Sequence, residues 1–308
     1  MSAQINFNKK VLKTLESIDF YLKAGVIAEK ARSFARQIAK PGVKLLETAQ
    51  KIEAFIIENG GKPAFPVNLS ANERAAHYTP SINDESVIGD KDLLKIDLGV
   101  HVEGYIVDTS LTIDFSGENG KLLEASQNAL ESALSVMKAG VSFRVVGGVI
   151  EQEIKSKGFK VIENLNGHLI ERYLLHAGVD LPNTPVSGGV LNEGDVYAIE
   201  PFATTGRGRV TDQNYCQIYS VFGGKVRGEI AREILNLVLT DFQTLPFAKR
   251  WLKLPYSELQ IDLGLGEIVK NGAGTSYPLL SDSGLVSQAE TTVIIESDGV
   301  RVLCDPKT

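Results

Sequence analysis

The sequence predicts an α+β domain made of two copies of one helix–helix–strand unit, related by a pseudo-twofold axis. Two observations predict it. Helix-like and strand-like segments follow one another in the same order twice along the first two-thirds of the chain. A shift of 98 positions also lays Lys40, Gly42, Val43, Ile52, Glu53, Ile56 and Gly60 onto identical residues: Lys138, Gly140, Val141, Ile150, Glu151, Ile154 and Gly158. Seven identities in 21 positions are more than accident usually gives, and a duplicated unit of this kind places a site between its halves.

Each element has a local cause. Residues from about Lys13 to Ala39 are rich in Ala, Lys, Glu and Arg and read as a helix, stopped at Pro41-Gly42. Leu45, Ala49, Ile52 and Ile56 recur at helical spacing until Asn59-Gly60-Gly61 ends the second helix. Strand-like segments run through Ser70, and Leu93–Val100 and Tyr105–Phe115 alternate like paired strands. A helix from about Lys121 to Lys138 and another carrying Phe143, Val146, Ile150 and Ile154 open the second copy. Between about Gly206 and Ser276 the repeat stops. Glu229–Leu239 and Leu259–Val269 look helical there, with Leu245-Pro246-Phe247 and Trp251 as apolar anchors, so this stretch reads as an insertion.

The bulk numbers narrow the function. At 308 residues the chain is long enough for a large core. A net charge of −6 argues against a general nucleic-acid binder, and nine Lys/Arg against seven Asp/Glu from Arg207 to Thr275 argue against DNA reading by the insertion. Cys216 and Cys304, 88 residues apart, build neither a disulfide framework nor a zinc ribbon, which fits a reducing compartment. Met1–Leu22 has no apolar core of signal-peptide type, and no run approaches a membrane span. The expectation is a cytoplasmic protein with no membrane and no specific DNA partner.

Acids and histidines occur where solvated residues are out of place. Asp97 stands among Leu93, Leu94, Ile96 and Leu98, and Asp108 follows Ile106-Val107. A register turning on Val102-Glu103 sets these two aspartates directly opposite, with Cβ atoms about 4.5–5.5 Å apart. Two carboxylates that close repel, so one takes a proton unless a cation neutralises them. The alternative is a pair of solvated turn residues, which their apolar neighbours disfavour. His168 and His176, half of the four histidines, lie between Gly167 and Gly178, where backbone can approach a ligand closely. Glu200 ends an apolar strand, in Tyr197-Ala-Ile-Glu200-Pro-Phe202, and Glu290 enters one, in Gln288-Ala-Glu290-Thr-Thr-Val. Each glutamate alone reads more readily as a strand-edge residue than as a ligand. The segment Ala64-Phe65-Pro66-Val-Asn68-Leu-Ser70, running on to Ala76-His77-Tyr78, completes the set.

Together these segments resemble the methionine aminopeptidases, and more closely their type II branch of archaea and eukaryotes, from the first helices to Glu290. The resemblance implies the pseudo-twofold pita-bread (creatinase/aminopeptidase) fold, with a catalytic domain over residues 1–205 and 277–308. Residues 206–276, with Leu245-Pro-Phe-Ala-Lys-Arg-Trp251, would form the inserted helical, winged-helix-like subdomain that separates type II from type I. Asp97, Asp108, His168, Glu200 and Glu290 would hold two divalent cations, Asp108 and Glu290 bridging them. An oxygen-rich set with one imidazole suits Mn, Fe or Co at least as well as Zn. His77, His176 and Glu200 would be catalytic, a metal-activated hydroxide attacking the scissile carbonyl with Glu200 as base and then acid. Phe65, Leu175, Phe202 and Tyr277, with His77 and His176, would receive the methionine of N-terminal peptides of nascent proteins, a small second residue being preferred. The ribosome is a further candidate partner, and the chain is expected to be a monomer.

Two positions depart from the family pattern. Thr291 stands where His usually follows the last glutamate, and in a strand it would point away from Glu290. Glu103 replaces a shorter polar residue in the turn between the aspartates. An Xaa-Pro aminopeptidase or prolidase shares the five-ligand order but lacks the insertion, and a non-catalytic protein of the proliferation-associated type usually loses ligands that all stand here.

Overall fold

The computed structural model describes residues 15–307, and the expectations for residues 1–14 lie outside them. Helices α1 (Leu15–Ile38) and α2 (Leu45–Glu58) lead into strands β1 (Lys62–Ala71), β2 (Arg74–Ala76), β3 (Leu93–Val102) and β4 (Tyr105–Asp114). The second half follows with α3 (Gly120–Val136), α4 (Phe143–Ser156), β5 (Lys160–Val161), β6 (Asn166–Ile170), β7 (Asp180–Pro182) and β8 (Val196–Ile199). Next come β9 (Phe202–Thr204), β10 (Thr211–Val221), α5 (Glu229–Asp241), β11 (Phe247–Ala248) and α6 (Glu258–Lys270). Strands β12 (Gly274–Ser281), β13 (Val286–Gln288), β14 (Thr291–Ile295) and β15 (Val300–Val302) close the chain.

The duplication is repeated in the backbone. Helices α2 and α4 have the same length, and both their ends are offset by the repeat distance read from the sequence. Gly42 and Gly140 precede them at φ 84° and 85°, and Gly60 and Gly158 follow at φ 88° and 86°. Glycine recurs there because other residues rarely adopt this left-handed backbone. Gly42 donates its N–H to Ile88 O and Gly140 to Leu191 O, both at 2.8 Å. Lys44 and Ser142 form equivalent bridges to Val87 and Val190.

The helices bury the stripe their spacing dictates: Leu45, Ala49, Ile52 and Ile56 in α2, and Phe143, Val146, Ile150 and Ile154 in α4. The first pair of helices shares an apolar core with the antiparallel sheet β1-β3-β4, and the second pair with the sheet β15-β14-β8-β6-β7. The protein therefore has the mixed helix and sheet architecture expected, in two related halves. Among the described residues no helix is long and apolar enough to cross a membrane.

Helices α5 and α6 pack on each other through Ile234, Val238, Leu265 and Ile268. They sit on the sheet β11-β10-β12-β2, which reaches back into the first half through β2. The boundary expected after Ser276 falls inside β12, because that strand pairs with β10 on one side and β2 on the other. A buried polar contact ties the same region to the first half. The Glu53 carboxylate accepts hydrogen bonds from Arg250 Nη2, from Trp251 Nε1 at 3.0 Å and from the Val67 N–H at 3.2 Å. Arg250 Nη1 also donates to Thr79 Oγ1 at 2.7 Å.

Candidate metal centre

The β3–β4 turn sets the first two acids. Val102 pairs with Tyr105, so the loop is Glu103-Gly104, with φ 52° and 85°. Positive φ at both residues is the two-residue hairpin turn whose twist suits paired strands. Gly104 is required twice over, since a Cβ there would lie 2.3 Å from the Tyr173 ring. This turn is one residue later than Val102-Glu103, and the register moves with it. Asp97 pairs with Ser110, and Asp108 pairs with Gly99. The direct Asp97–Asp108 pairing is thus replaced by a diagonal one, and both side chains still share a face because the slip preserves alternation.

Two rows of residues cross the sheet on that face. One runs Phe65, Gly99, Asp108; the other runs Asn68, Asp97, Ser110 and continues by an isolated bridge to Glu290. Side chains fasten β4 to the strands that carry Glu290. Thr109 Oγ1 donates to Glu290 O at 3.0 Å, the Asp108 N–H donates to Thr292 Oγ1 at 2.7 Å, and the Gln288 N–H donates to Thr112 Oγ1 at 3.0 Å. Gln288 Nε2 reaches the Glu290 carboxylate at 3.2 Å.

The second half brings the remaining ligand candidates. His168 lies on β6, paired with Ala198 of β8 and Asp180 of β7. Gly167 lets these strands approach, since its Cβ would lie 2.4 Å from Ala198 O. Glu200 follows β8, and its carbonyl accepts Asn183 Nδ2 at 3.0 Å. The duplication relates Glu200 to Asp97. Asp92 and Asp195 each donate an N–H to the carbonyl three residues back as a strand begins, and the two acids lie five residues beyond.

All five expected ligands line one cavity of about 250 Å3. Ligand atoms of Asp108, His168 and Glu290 lie within 4.8 Å of one another. His168 Nε2 is 3.6 Å from Asp108 Oδ2 and 3.7 Å from Glu200 Oε1. Those separations exceed a hydrogen bond and suit two ligands each about 2.1 Å from a shared cation.

The electrostatics call for a cation. Burial, and then the charge of Asp108, raise the Asp97 carboxyl well above the usual range, against a hydrogen bond from Gln288. Glu290 is raised by burial and by the charges of Asp108, Asp97 and Glu200. Glu200 is raised by burial and by Asp108, Asp97 and Asp180. Asp97 Oδ1, Asp108 Oδ1 and His168 Nδ1 are buried without a hydrogen-bond partner among the described residues. Four acids in one enclosed space are ionised together only when positive charge is bound among them. The donor set and its orphaned oxygens fit divalent metal.

Two further histidines face the centre. His176 sits in the β6–β7 loop with its ring 4.2 Å from that of His168. The residue is exposed, yet desolvation of its ring within the cavity lowers its pKa well below the ordinary value, and His168 and His77 add to this. His77 adopts φ 67°, unusual for a non-glycine residue, and its Nδ1 lies 3.1 Å from Pro278 O. A carbonyl only accepts, so Nδ1 carries the proton and Nε2 is left as an acceptor. Burial lowers the His77 pKa against the pull of that bond.

Phe65, His77, Leu175, His176 and Tyr277 line the cavity, and Phe202 does not. Phe202 is fully buried in a separate apolar cluster with Ala75, Ile162, Val210 and Val286. Ile218 and Pro246, which sequence reasoning missed, also line it. They reach it from β10 and the segment before β11, so no local pattern marks them. Asn68 and Asp180 also line it, each paired across a ladder with a ligand candidate, Asp97 and His168. Thr291 is buried and donates its Oγ1 to Cys304 O, away from the cavity.

The sequence profile of metallopeptidase family M24 matches residues 19–235. The chain is 50% identical over 290 residues to the methionine aminopeptidase of Pyrococcus horikoshii, covering 92% of this chain and 98% of that one. It is 43% identical over 295 residues to that of Saccharolobus solfataricus, covering 94% and 98%. Among solved structures it is similar to a thermophilic Arx1 (TM-score 0.85, 20% identity, 94% and 91% covered). It is also similar to the methionine aminopeptidase of Rickettsia prowazekii (TM-score 0.69, 18% identity, 94% and 97% covered). At those identities the structures speak for the fold alone.

Proposed function

Because the chain belongs to metallopeptidase family M24, we propose that it removes the N-terminal methionine from peptides and nascent proteins. One observation carries this: Asp97, Asp108, His168, Glu200 and Glu290 converge on a cavity whose other wall is Phe65, Leu175, Ile218, Pro246 and Tyr277. A cavity of about 250 Å3 with one apolar wall accepts a single methionine-sized side chain beside the reacting bond. The curated relatives carry the same activity in their name.

The five ligand candidates would hold two divalent cations. Bound there, such ions polarise a carbonyl and make water acidic enough to be a nucleophile near neutral pH. This chain's own residues do the rest. Glu200 accepts the proton of the attacking water and returns it to the leaving amine. His176, kept neutral by its surroundings, donates an N–H to the oxygen that gains charge as the carbonyl becomes tetrahedral. His77 holds its Nδ1 proton on Pro278 O, so its Nε2 accepts the N–H of the scissile amide.

We assign residues 206–276 to an inserted subdomain that narrows access, on the ground that Ile218 and Pro246 wall the cavity. A narrow entrance favours a small second residue. The test is to strip the protein of metal, add back Mn, Fe, Co or Zn singly, and assay Met-Gly, Met-Leu and Ala-Pro peptides. Cleavage of Met-Gly with Met-Leu spared supports the assignment. Cleavage of Ala-Pro alone would transfer it to a prolidase-like enzyme.

A further inference from the structure

Acids alone charge the cavity. Among the described residues no Lys or Arg lines it, and besides the four carboxylates assigned as ligands it contains one more, Asp180. Asp180 opens β7 directly across the ladder from His168. Opposed residues share a face, with Cβ atoms about 4.5–5.5 Å apart. Its side chain therefore rises on the side from which His168 enters the cavity. It is solvent-exposed, whereas most of the lining is buried or half-buried. Its carboxylate has no hydrogen-bond or cationic partner among the described residues. Its charge reaches Glu200, where it is one of the causes that raise that carboxyl.

Two other exposed polar residues stand in this lining, His176, placed beside His168, and Asn164, whose amide is already committed. Asn164 donates Nδ2 to Val210 O at 3.0 Å and accepts the Val210 N–H at 2.9 Å. A peptide with its methionine against Phe65, Leu175 and Tyr277 and its first amide at the ligands must leave past the open side, where Asp180 stands. Four ligand carboxylates and two divalent cations would cancel, which leaves Asp180 as the remaining carboxylate of the lining.

We propose that Asp180 is a charge filter for the substrate residue after the small second one, favouring Lys or Arg at position three and opposing Asp or Glu. The inference rests on the methionine-removing activity proposed above. It concerns selection among substrates of that activity, and the step it acts on is binding. A single exposed charge several ångströms away is worth about threefold in kcat/KM for each sign at low salt, or about tenfold between Lys and Glu.

The experiment uses the metal-loaded full chain and three peptides of equal length, Met-Gly-Lys-Ala, Met-Gly-Gln-Ala and Met-Gly-Glu-Ala. Rates on the charged peptides are divided by the rate on the Gln peptide, which cancels any general effect of a substitution. The expected order is Lys, Gln, Glu, carried by KM and shrinking as salt rises to about 0.5 M. Asp180→Asn is expected to collapse the ratios toward one, and Asp180→Lys to reverse them. Equal rates on all three peptides, or an unchanged Lys/Glu ratio in Asp180→Asn, would overturn the proposal. No cleavage even of the Gln peptide would instead overturn the activity on which it rests.

Discussion

Asp108 lies across the β3–β4 ladder from Gly99, two pairs along from Asp97, which faces Ser110. The empty side-chain position at Gly99 is filled from the neighbouring strand. A Cβ on Gly99 would lie 2.3 Å from Phe65 Cε1, so the Phe65 ring occupies the space beside Asp108. One glycine thus lets an apolar wall stand directly against the Asp108 carboxylate. Gly99→Ala should force the ring toward the cavity. The expected result is a loss of about 1–3 kcal/mol in thermal or urea unfolding, with a raised KM for methionyl peptides. Wild-type stability and KM together would show that Phe65 is not held there.

The five ligand candidates make a second prediction, with Thr291 as its contrast. Asp97→Asn or Glu290→Gln should lower the metal retained by purified protein and cut turnover by at least about a hundredfold. Thr291→Val should retain wild-type metal content, because its hydroxyl is directed at Cys304 O. Elemental analysis after gel filtration reads both. Metal loss in the Thr291 variant would mean that its strand orientation bears on the centre.

The sequence carried the five ligand candidates and the duplicated helices because each was local. An acid among Leu and Ile announces itself, and Gly42, Gly60 and their partners recur where the backbone turns left-handed. The register of Asp97 against Asp108 was less legible. It depends on which of two adjacent dipeptides turns, and Gly104 settles it through its φ and its contact with Tyr173. Phe202 was misplaced because the chain changes sheets after Glu200, from that of β8 to that of β9, and its ring joins a separate apolar cluster. Ile218 and Pro246 were invisible because tertiary packing alone brings them to the cavity.

Glu53 shows how a repeat residue acquires a separate task. Its counterpart Glu151 makes an ordinary helical pair with Lys155, whereas Glu53 is buried against Arg250 and Trp251. Burial outweighs those partners and raises the Glu53 carboxyl above its usual range. Removing one member of such a set leaves an uncompensated buried charge, so Glu53→Ala should cost about 3–5 kcal/mol. Trp251 is the chain's single tryptophan, which makes its fluorescence a direct monitor of this contact. An unshifted emission maximum in Glu53→Ala would show that the contact does not persist in solution.

His101 gives the fold a pH dependence independent of the metal. Its Nδ1 accepts the Gly104 N–H at 3.2 Å, and its ring meets Tyr173 edge-on. Burial lowers its pKa to about 4, with a smaller push from Lys62. The unfolded chain binds this proton as pH falls through about 6.5, and the folded protein does so only near 4. The stability it contributes is complete above about pH 6.5 and is lost toward pH 4, by up to roughly 3 kcal/mol. Urea unfolding of wild type and His101→Gln at pH 7 and pH 5 isolates it, since acid release of metal is common to both. The expected outcome is a smaller drop between the two pH values in the variant.

His176 separates holding metal from using it. Its ring stands 4.2 Å from that of His168, close enough to reach a substrate at the centre, and it is not among the three residues whose ligand atoms cluster there. Because desolvation of its ring, His168 and His77 all oppose its protonation, it works as a neutral donor near pH 7. His176→Ala should therefore leave metal content near wild type while lowering kcat by about a hundredfold or more, the usual scale for losing one donor to a developing oxyanion. Since the interaction strengthens only as the carbonyl gains charge, KM should change little by comparison. An unchanged kcat would remove His176 from the reaction. A loss of metal in step with activity would make it a support for His168 instead.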